Sequence, residues 1–167
     1  MKELTTLGSA VGALLKARGH TLSVAESSAG GLMSASLLAV PGASAYFRGG
    51  VVSYTREARQ AYLERGGAPF ADVPPSSEPY ALVLARAARD TLGTTWGLAE
   101  TGASGPTGNR YGYDAGHACI AVCGPIELSV TIETRSANRE LNMWSFAAAG
   151  LELLERAILR SGPAGTG

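Results

Sequence analysis

Two cysteines and two histidines are all that 167 residues contain. So few thiols cannot build a disulfide scaffold, and so few imidazoles leave no evident Ser-His-Asp set. Neither sign of charge dominates, since 14 Lys and Arg stand against 14 Asp and Glu. That balance makes neither the basic footprint of a nucleic-acid binder nor a polybasic membrane patch. No apolar run reaches the roughly 18 residues that cross a bilayer. The opening "MKELTTLGSAVGALLKARGH" carries polar residues at helical spacing instead of the unbroken apolar segment of a signal peptide. The chain therefore reads as a soluble, cytoplasmic protein without a nucleic-acid or membrane partner.

Apolar residues, in contrast, are plentiful. They make up 46% of the chain against 17% charged, the composition of a sequence that collapses around a core. The length fits one domain, placed at residues 1–160 with a flexible tail at 161–167. Leu4, Leu7, Val11, Leu14 and Leu15 recur every three to four residues, which predicts an amphipathic first helix ending near Gly19. "TLSVA" predicts a strand, and residues 29–38 a helix stopped by Pro41-Gly42. "SAYFRGGVVSYT" predicts one or two strands, with Gly49-Gly50 marking a bulge or a close backbone approach.

Residues 56–65 read as a short charged helix and "GGAPFADVPPSS" as a loop. Ser77-Glu78-Pro79 reads as the capped start of a helix running to about Leu92. "TWGLAE", "HACIAVCG" and "ELSVTIET" predict three more strands, the last two a hairpin or neighbours. A helix over residues 139–160 closes the chain. This order of elements predicts a three-layer α/β/α sandwich around a mixed sheet.

His117, Cys119 and Cys123 fall on one face of a strand. A metal site would need a fourth ligand, and His20 is the only other histidine. Small buried thiols on a core-facing strand are the expectation, without metal.

Two polar loops sit where strands give way to helices, the place where α/β sheets gather ligands. One is "AESSAGG" (residues 25–31), the other "TGASGPTG" (residues 101–108). Each reads either as a capped turn or as a cradle of backbone N–H groups and hydroxyls facing an anion. The glycines at 102, 105 and 108 do not have dinucleotide-binding spacing, and no lysine follows to make a P-loop. Nor does "SSAGG" fit the nucleophile elbow. Two such loops in one small domain favour a small-molecule site. Tyr54 and Arg59 lie five residues apart across a nearby strand-to-helix junction.

"AESSAGG", "VPGASAYFRGGVVSYTREAR", "SSEP", "TGASGPTG" and "NRELNMWSFAAAGLELL", in that order, resemble the CinA C-terminal domain family, the nicotinamide-nucleotide amidases. The resemblance covers nearly the whole chain and is to the stand-alone form. It implies an α/β/α sandwich that hydrolyses the carboxamide of nicotinamide mononucleotide to the nicotinate nucleotide and ammonia. It also implies a serine nucleophile with a lysine base, no metal or redox cofactor, and a homo-oligomer, with a dimer favoured. Carried over by motif, the family's serine falls on Ser27, its tyrosine on Tyr54, its loop threonine on Thr101 and the arginine of its last helix on Arg139. Ser28, Gly30, Gly31, Arg59, Gly102, Gly105 and Arg139 are the expected substrate-binding residues.

Four departures from the pattern matter. Ser28 and Ala29 stand where the family has Cys and Thr, and Met143 where a second arginine is common. "GNRYGYDAG" replaces a run that usually carries Lys-Pro-Val-Gly. Most consequential is Arg59, which stands where the family has its lysine. A guanidinium stays protonated in proteins and cannot serve as a base; it can instead hold a phosphate by a bidentate contact. A catalytically impaired, nucleotide-binding or interaction protein on the same scaffold is therefore the alternative reading.

Overall fold

A computed structural model describes residues 3–65 and 73–162. Its helices are α1 (Leu4–Arg18), α2 (Leu32–Leu38), α3 (Arg56–Arg65), α4 (Glu78–Leu92) and α5 (Arg139–Arg160). Its strands are β1 (Leu22–Glu26), β2 (Phe47–Val52), β3 (Trp96–Ala103), β4 (His117–Cys123) and β5 (Glu127–Glu133). They form one sheet in the order β2-β1-β3-β4-β5. β1 runs parallel to β2 and β3, whereas β3, β4 and β5 alternate in direction. The sheet is mixed and layered, as expected.

Strand alternation sorts the side chains by size. Leu22, Val24, Trp96, Leu98, Ile120 and Val122 face one layer, where they pack on α1, α2 and α5 through Leu7, Val11, Met33, Phe146 and Leu151. Ala25, Ala99, Cys119, Ala121 and Cys123 face the other, under Tyr80, Ala81, Leu84, Ala85 and Ala88 of α4. Small residues on both sides of that contact let α4 lie almost on the sheet. Gly97 shows how closely: a Cβ there would stand 1.9 Å from the Ala85 carbonyl oxygen.

Helix boundaries follow local chemistry. Ser77 caps α4, its hydroxyl accepting from the Tyr80 N–H at 3.3 Å, and Gly19 ends α1 in the left-handed conformation. The sequence expectation that α2 begins at residue 29 is corrected, since residues 29–31 form a turn and the helix starts at Leu32. "SAYFRGGVVSYT" gives one strand, with a register shift at its start. Gly50 there also meets a close neighbour, as a Cβ would sit 2.4 Å from the Ser34 hydroxyl. At the C-terminus, Arg18 donates to Ser161 Oγ at 3.0 Å and to the Gly162 carbonyl at 2.5 Å. Residues 66–72 of the expected loop and 163–167 of the expected tail lie outside the described residues. Among the described residues, no helix is long and apolar enough to cross a membrane.

Gly97→Ala is expected to cost about 2 kcal/mol, because β3 and α4 must separate to admit the methyl group. Urea denaturation checks this: the midpoint should fall with an unchanged slope. A wild-type midpoint would contradict the close approach.

Candidate active site

The carboxyl ends of β1, β2 and β3 lie side by side. After β1 the chain passes through α2 into one layer, and after β2 through α3 and α4, of which α4 covers the opposite face. A crevice opens where crossovers diverge in this way. Ser27 follows β1, Tyr54 follows β2, and Thr101 and Gly102 lie near the end of β3. Topology thus brings the two polar loops together, with one correction: the second loop does not lead into a helix but joins β3 to β4.

Two buried carboxylates shape the first loop. Glu26 is fully buried and accepts from the N–H groups of Gly31 (3.0 Å), Met33 (3.1 Å) and Ser34 (2.8 Å), and from the Ser34 hydroxyl (2.7 Å). It caps α2 in place of the usual Ser, Thr, Asp or Asn. Glu100, on β3 and also fully buried, accepts from the N–H groups of Ser27 (3.1 Å) and Ala29 (2.8 Å) and from the Ser28 hydroxyl. Burial pushes Glu100 up to about 6, with the Ser28, Ala29 and Ser27 hydrogen bonds opposing the rise and the nearby Glu26 charge adding to it.

These bonds correct one expectation. Gly30 and Gly31 do not offer their N–H groups to a ligand. Gly31 donates to Glu26, and Gly30 donates to the Ser27 carbonyl at 3.2 Å. Their role is conformational, both having positive φ (70° and 96°) that suits glycine. Met143 packs against this turn, its Cε lying 2.7 Å from where a Cβ of Gly30 would be. Of the N–H groups at residues 27–31, only that of Ser28 has no acceptor among the described residues.

Ser27, Tyr54, Arg59 and Gly102 line one cleft of about 460 Å³, together with Ser76 and Tyr111. Ser28, Gly105 and Arg139 line an adjoining one of about 250 Å³. Tyr54, Gly102 and Asn109 line both, so the two are neighbours. Among the described residues the Ser27 hydroxyl has no hydrogen-bond partner, although the residue is 6% exposed. Tyr54 accepts at its hydroxyl from Arg139 (3.1 Å), which also donates to the Gly105 carbonyl (2.6 Å). Thr101 is buried on β3 opposite Cys119, facing the α4 layer that Ala99 also faces. It lies behind the cleft, while the neighbouring Gly102 lines it.

Arg59 enters the cleft from α3 with 9% exposure. Its guanidinium donates to the Tyr111 hydroxyl at 3.1 Å, and its buried Nε has no partner among the described residues. Tyr111 belongs to "GNRYGYDAG", which Asn109 organises by accepting from the N–H groups of Tyr111 (3.0 Å) and Tyr113 (3.3 Å). Asn109 also donates to Ser76 Oγ at 3.0 Å. His117 supports Ser76 from behind, its ring nitrogens meeting Glu133 (2.5 Å) and the Ser76 carbonyl (2.8 Å). Cys119 lies 3.3 Å from the same carbonyl. Burial pushes both thiols up, Cys123 to about 11. Among the described residues, no group of three His, Cys, Asp or Glu could hold a metal ion.

The sequence profile of the CinA C-terminal domain matches residues 4–158. The chain belongs to the CinA C-terminal domain family. A CinA-like protein of Gloeobacter violaceus is 39% identical over 157 residues, covering 92% of this chain and 37% of that protein. One from Nostoc is 34% identical over 169 residues, covering 92% and 39%. The chain thus spans under two fifths of these relatives' length. Solved structures agree in fold. A CinA superfamily protein of Klebsiella pneumoniae superposes with a TM-score of 0.87 at 22% identity, covering 95% of this chain and 99% of that one. A competence/damage inducible protein of Agrobacterium tumefaciens gives 0.84 at 24% identity, covering 95% and 97%.

Within this CinA domain, sequence reasoning had missed Glu26 and Glu100 as the organisers of the serine turn. The available signal was an acid ending "TLSVAE" and another inside the apolar "WGLAET"; a charge within a core strand needs a dedicated set of donors.

Because the ordinary value for Glu100 is 4.5 and its native value about 6, the folded CinA domain keeps a proton that the unfolded chain releases. Stability therefore falls as pH rises from 4.5 to 6, and ~2 kcal/mol stays lost above that. Denaturant titrations from pH 4 to 7 should show the wild type losing this amount relative to Glu100→Gln. A pH-independent gap between the two would contradict a buried ionisation.

Proposed function

We propose that the cleft is the active site of an amidohydrolase that converts nicotinamide mononucleotide to nicotinate mononucleotide and ammonia. The observation that carries this reading is the placing of Ser27, Tyr54 and Arg59 around one cleft of about 460 Å³, a volume that suits a nucleotide-sized ligand, in a chain of the CinA family. Ser27 Oγ attacks the carboxamide carbon and gives up its proton. The tetrahedral oxyanion collapses, the C–N bond breaks, and ammonia leaves with that proton. Water then hydrolyses the acyl-serine to the carboxylate and frees Ser27.

The Ser28 N–H, without an acceptor among the described residues, is the nearest backbone donor in sequence for the oxyanion. Tyr54, which takes a hydrogen bond from Arg139, is the relay for the serine proton. Thr101, buried on β3 behind the cleft, has no part in this relay.

A second reading is favoured by a specific observation. Among the described residues nothing accepts from the Ser27 hydroxyl, and the residue at the family's lysine position is an arginine. On that reading the cleft binds the nucleotide and turns it over slowly or not at all, since general-base help is typically worth 100- to 10,000-fold.

Ammonia release from nicotinamide mononucleotide separates the two. Turnover that Ser27→Ala reduces at least 100-fold is the expected result, and turnover indifferent to that change would remove Ser27 from the reaction. Calorimetric binding of nicotinamide mononucleotide without release of ammonia is the outcome that supports the second reading.

A further inference from the structure

Away from Ser27, the cleft ends in a cluster of positive charge. Arg56, Arg59 and Arg110 line it, and with Tyr111 they also line an adjoining recess of about 230 Å³ that Ser27 does not reach. Among the described residues, none of the three arginines pairs with a carboxylate. Arg56 and Arg110 are exposed, so water and salt screen them. Arg59 is different: it is 9% exposed and has a buried Nε without a partner. A buried cation without a counter-charge is costly. The cost is offset when an anion docks against it.

Two more features point the same way. Thr55, just before α3, and Arg56 and Glu57 in its first turn line this end of the cleft, and a helix N-terminus carries partial positive charge. Tyr111 presents a hydroxyl already bonded to Arg59. Among the described residues, Glu57 is the single carboxylate lining the cleft. It is held below the usual carboxylate range by its own backbone N–H first, then by the Thr55 hydroxyl and the charges of Arg56 and Arg110. Among the described residues, three guanidiniums against one carboxylate give a net charge near +2, matched to a dianion.

We propose that Arg56, Arg59 and Arg110 form a phosphate-monoester subsite, which selects the phosphorylated nucleotide over its nucleoside and sets the ligand's direction in the cleft, phosphate at α3 and base toward Ser27. The identity of the nucleotide rests on the function proposed above; the subsite itself rests on the charge cluster. Arg59, at the position of the family's lysine, is then a substrate-binding residue. The loop "GNRYGYDAG" contributes to specificity, since it supplies Arg110 and Tyr111.

Calorimetry on Ser27→Ala protein, in which turnover cannot deplete the ligand, tests this with nicotinamide mononucleotide, nicotinamide riboside and inorganic phosphate. The mononucleotide should bind at least about 10-fold tighter than the riboside, the worth of charge-assisted hydrogen bonds. Inorganic phosphate should compete with the mononucleotide, which distinguishes a nucleotide subsite from a separate site for free phosphate. Arg59→Gln and Arg110→Gln should each weaken the mononucleotide and leave the riboside unchanged, whereas Arg160→Gln, at the far end of α5, removes the same charge without effect. If Arg59→Gln does not fold, the exposed Arg56→Gln and Arg110→Gln carry the test.

Equal affinity for mononucleotide and riboside would overturn the subsite. So would phosphate that binds without competing, or arginine variants that lose both ligands alike. Ammonia assays on the wild type keep the two proposals apart. Phosphate-selective binding without ammonia release overturns the amidase reading and leaves the subsite standing. Equal ammonia release from riboside and mononucleotide does the reverse.

Discussion

Two carboxylates that never meet solvent hold the site together. Glu26 and Glu100 between them take five backbone N–H groups and two hydroxyls from residues 27–34. A sharp turn followed by a helix start leaves several N–H groups without partners, and burying them unpaired would cost a few kcal/mol each. Supplying the anions from within the chain solves that problem and has a consequence for chemistry. The cradle that a helix start would offer to a ligand is already filled. Ligand recognition has to come from elsewhere in the cleft, from Arg59 on α3, Arg139 on α5 and the loop after β3.

Fixing the turn from below also fixes what stands above it. Ser27 has its N–H tied to Glu100 and its carbonyl to Gly30, so its side chain is held at the cleft, its hydroxyl unengaged among the described residues. The neighbouring Ser28 is used differently, its hydroxyl committed to the same carboxylate. Adjacent serines therefore have separate tasks, one facing the cleft and one bonded to the buried carboxylate. The rest of the fold serves this arrangement. Large side chains in one layer carry the helix that Glu26 caps, and small ones in the other let α4 lie close to the sheet. His117 and Asn109 hold the Ser76 segment against the cleft wall.

Much of this was legible from sequence. Helix spacing gave α1, α4 and α5 nearly to the residue, because amphipathic periodicity and caps such as Ser77 are local signals. The convergence of "AESSAGG" and "TGASGPTG" was only half legible, since the first loop leads from a strand into a helix but the second joins the antiparallel β3 and β4. Gly30 and Gly31 were misjudged for a physical reason. Glycines at a helix start signal both an anion cradle and a turn of positive φ, and only the partners of their N–H groups tell these apart. The partner of the first turn lay 73 residues away from Ser27, on β3, beyond the reach of any local pattern. Arg59 illustrates the opposite case. Its position read as a departure from the family, but its burial and its bond to Tyr111 required the folded loop. The same holds for Arg110, which sits in a segment without a periodic pattern and lines the cleft only because the loop folds back over α3.

A crystal structure of Ser27→Ala protein with nicotinamide mononucleotide tests the account most directly. The expected complex has the carboxamide carbon over the position vacated by the Ser27 hydroxyl and the phosphate among Arg56, Arg59 and Arg110. A nucleotide bound outside this cleft, or turned so that its phosphate sits at residue 27, would contradict it.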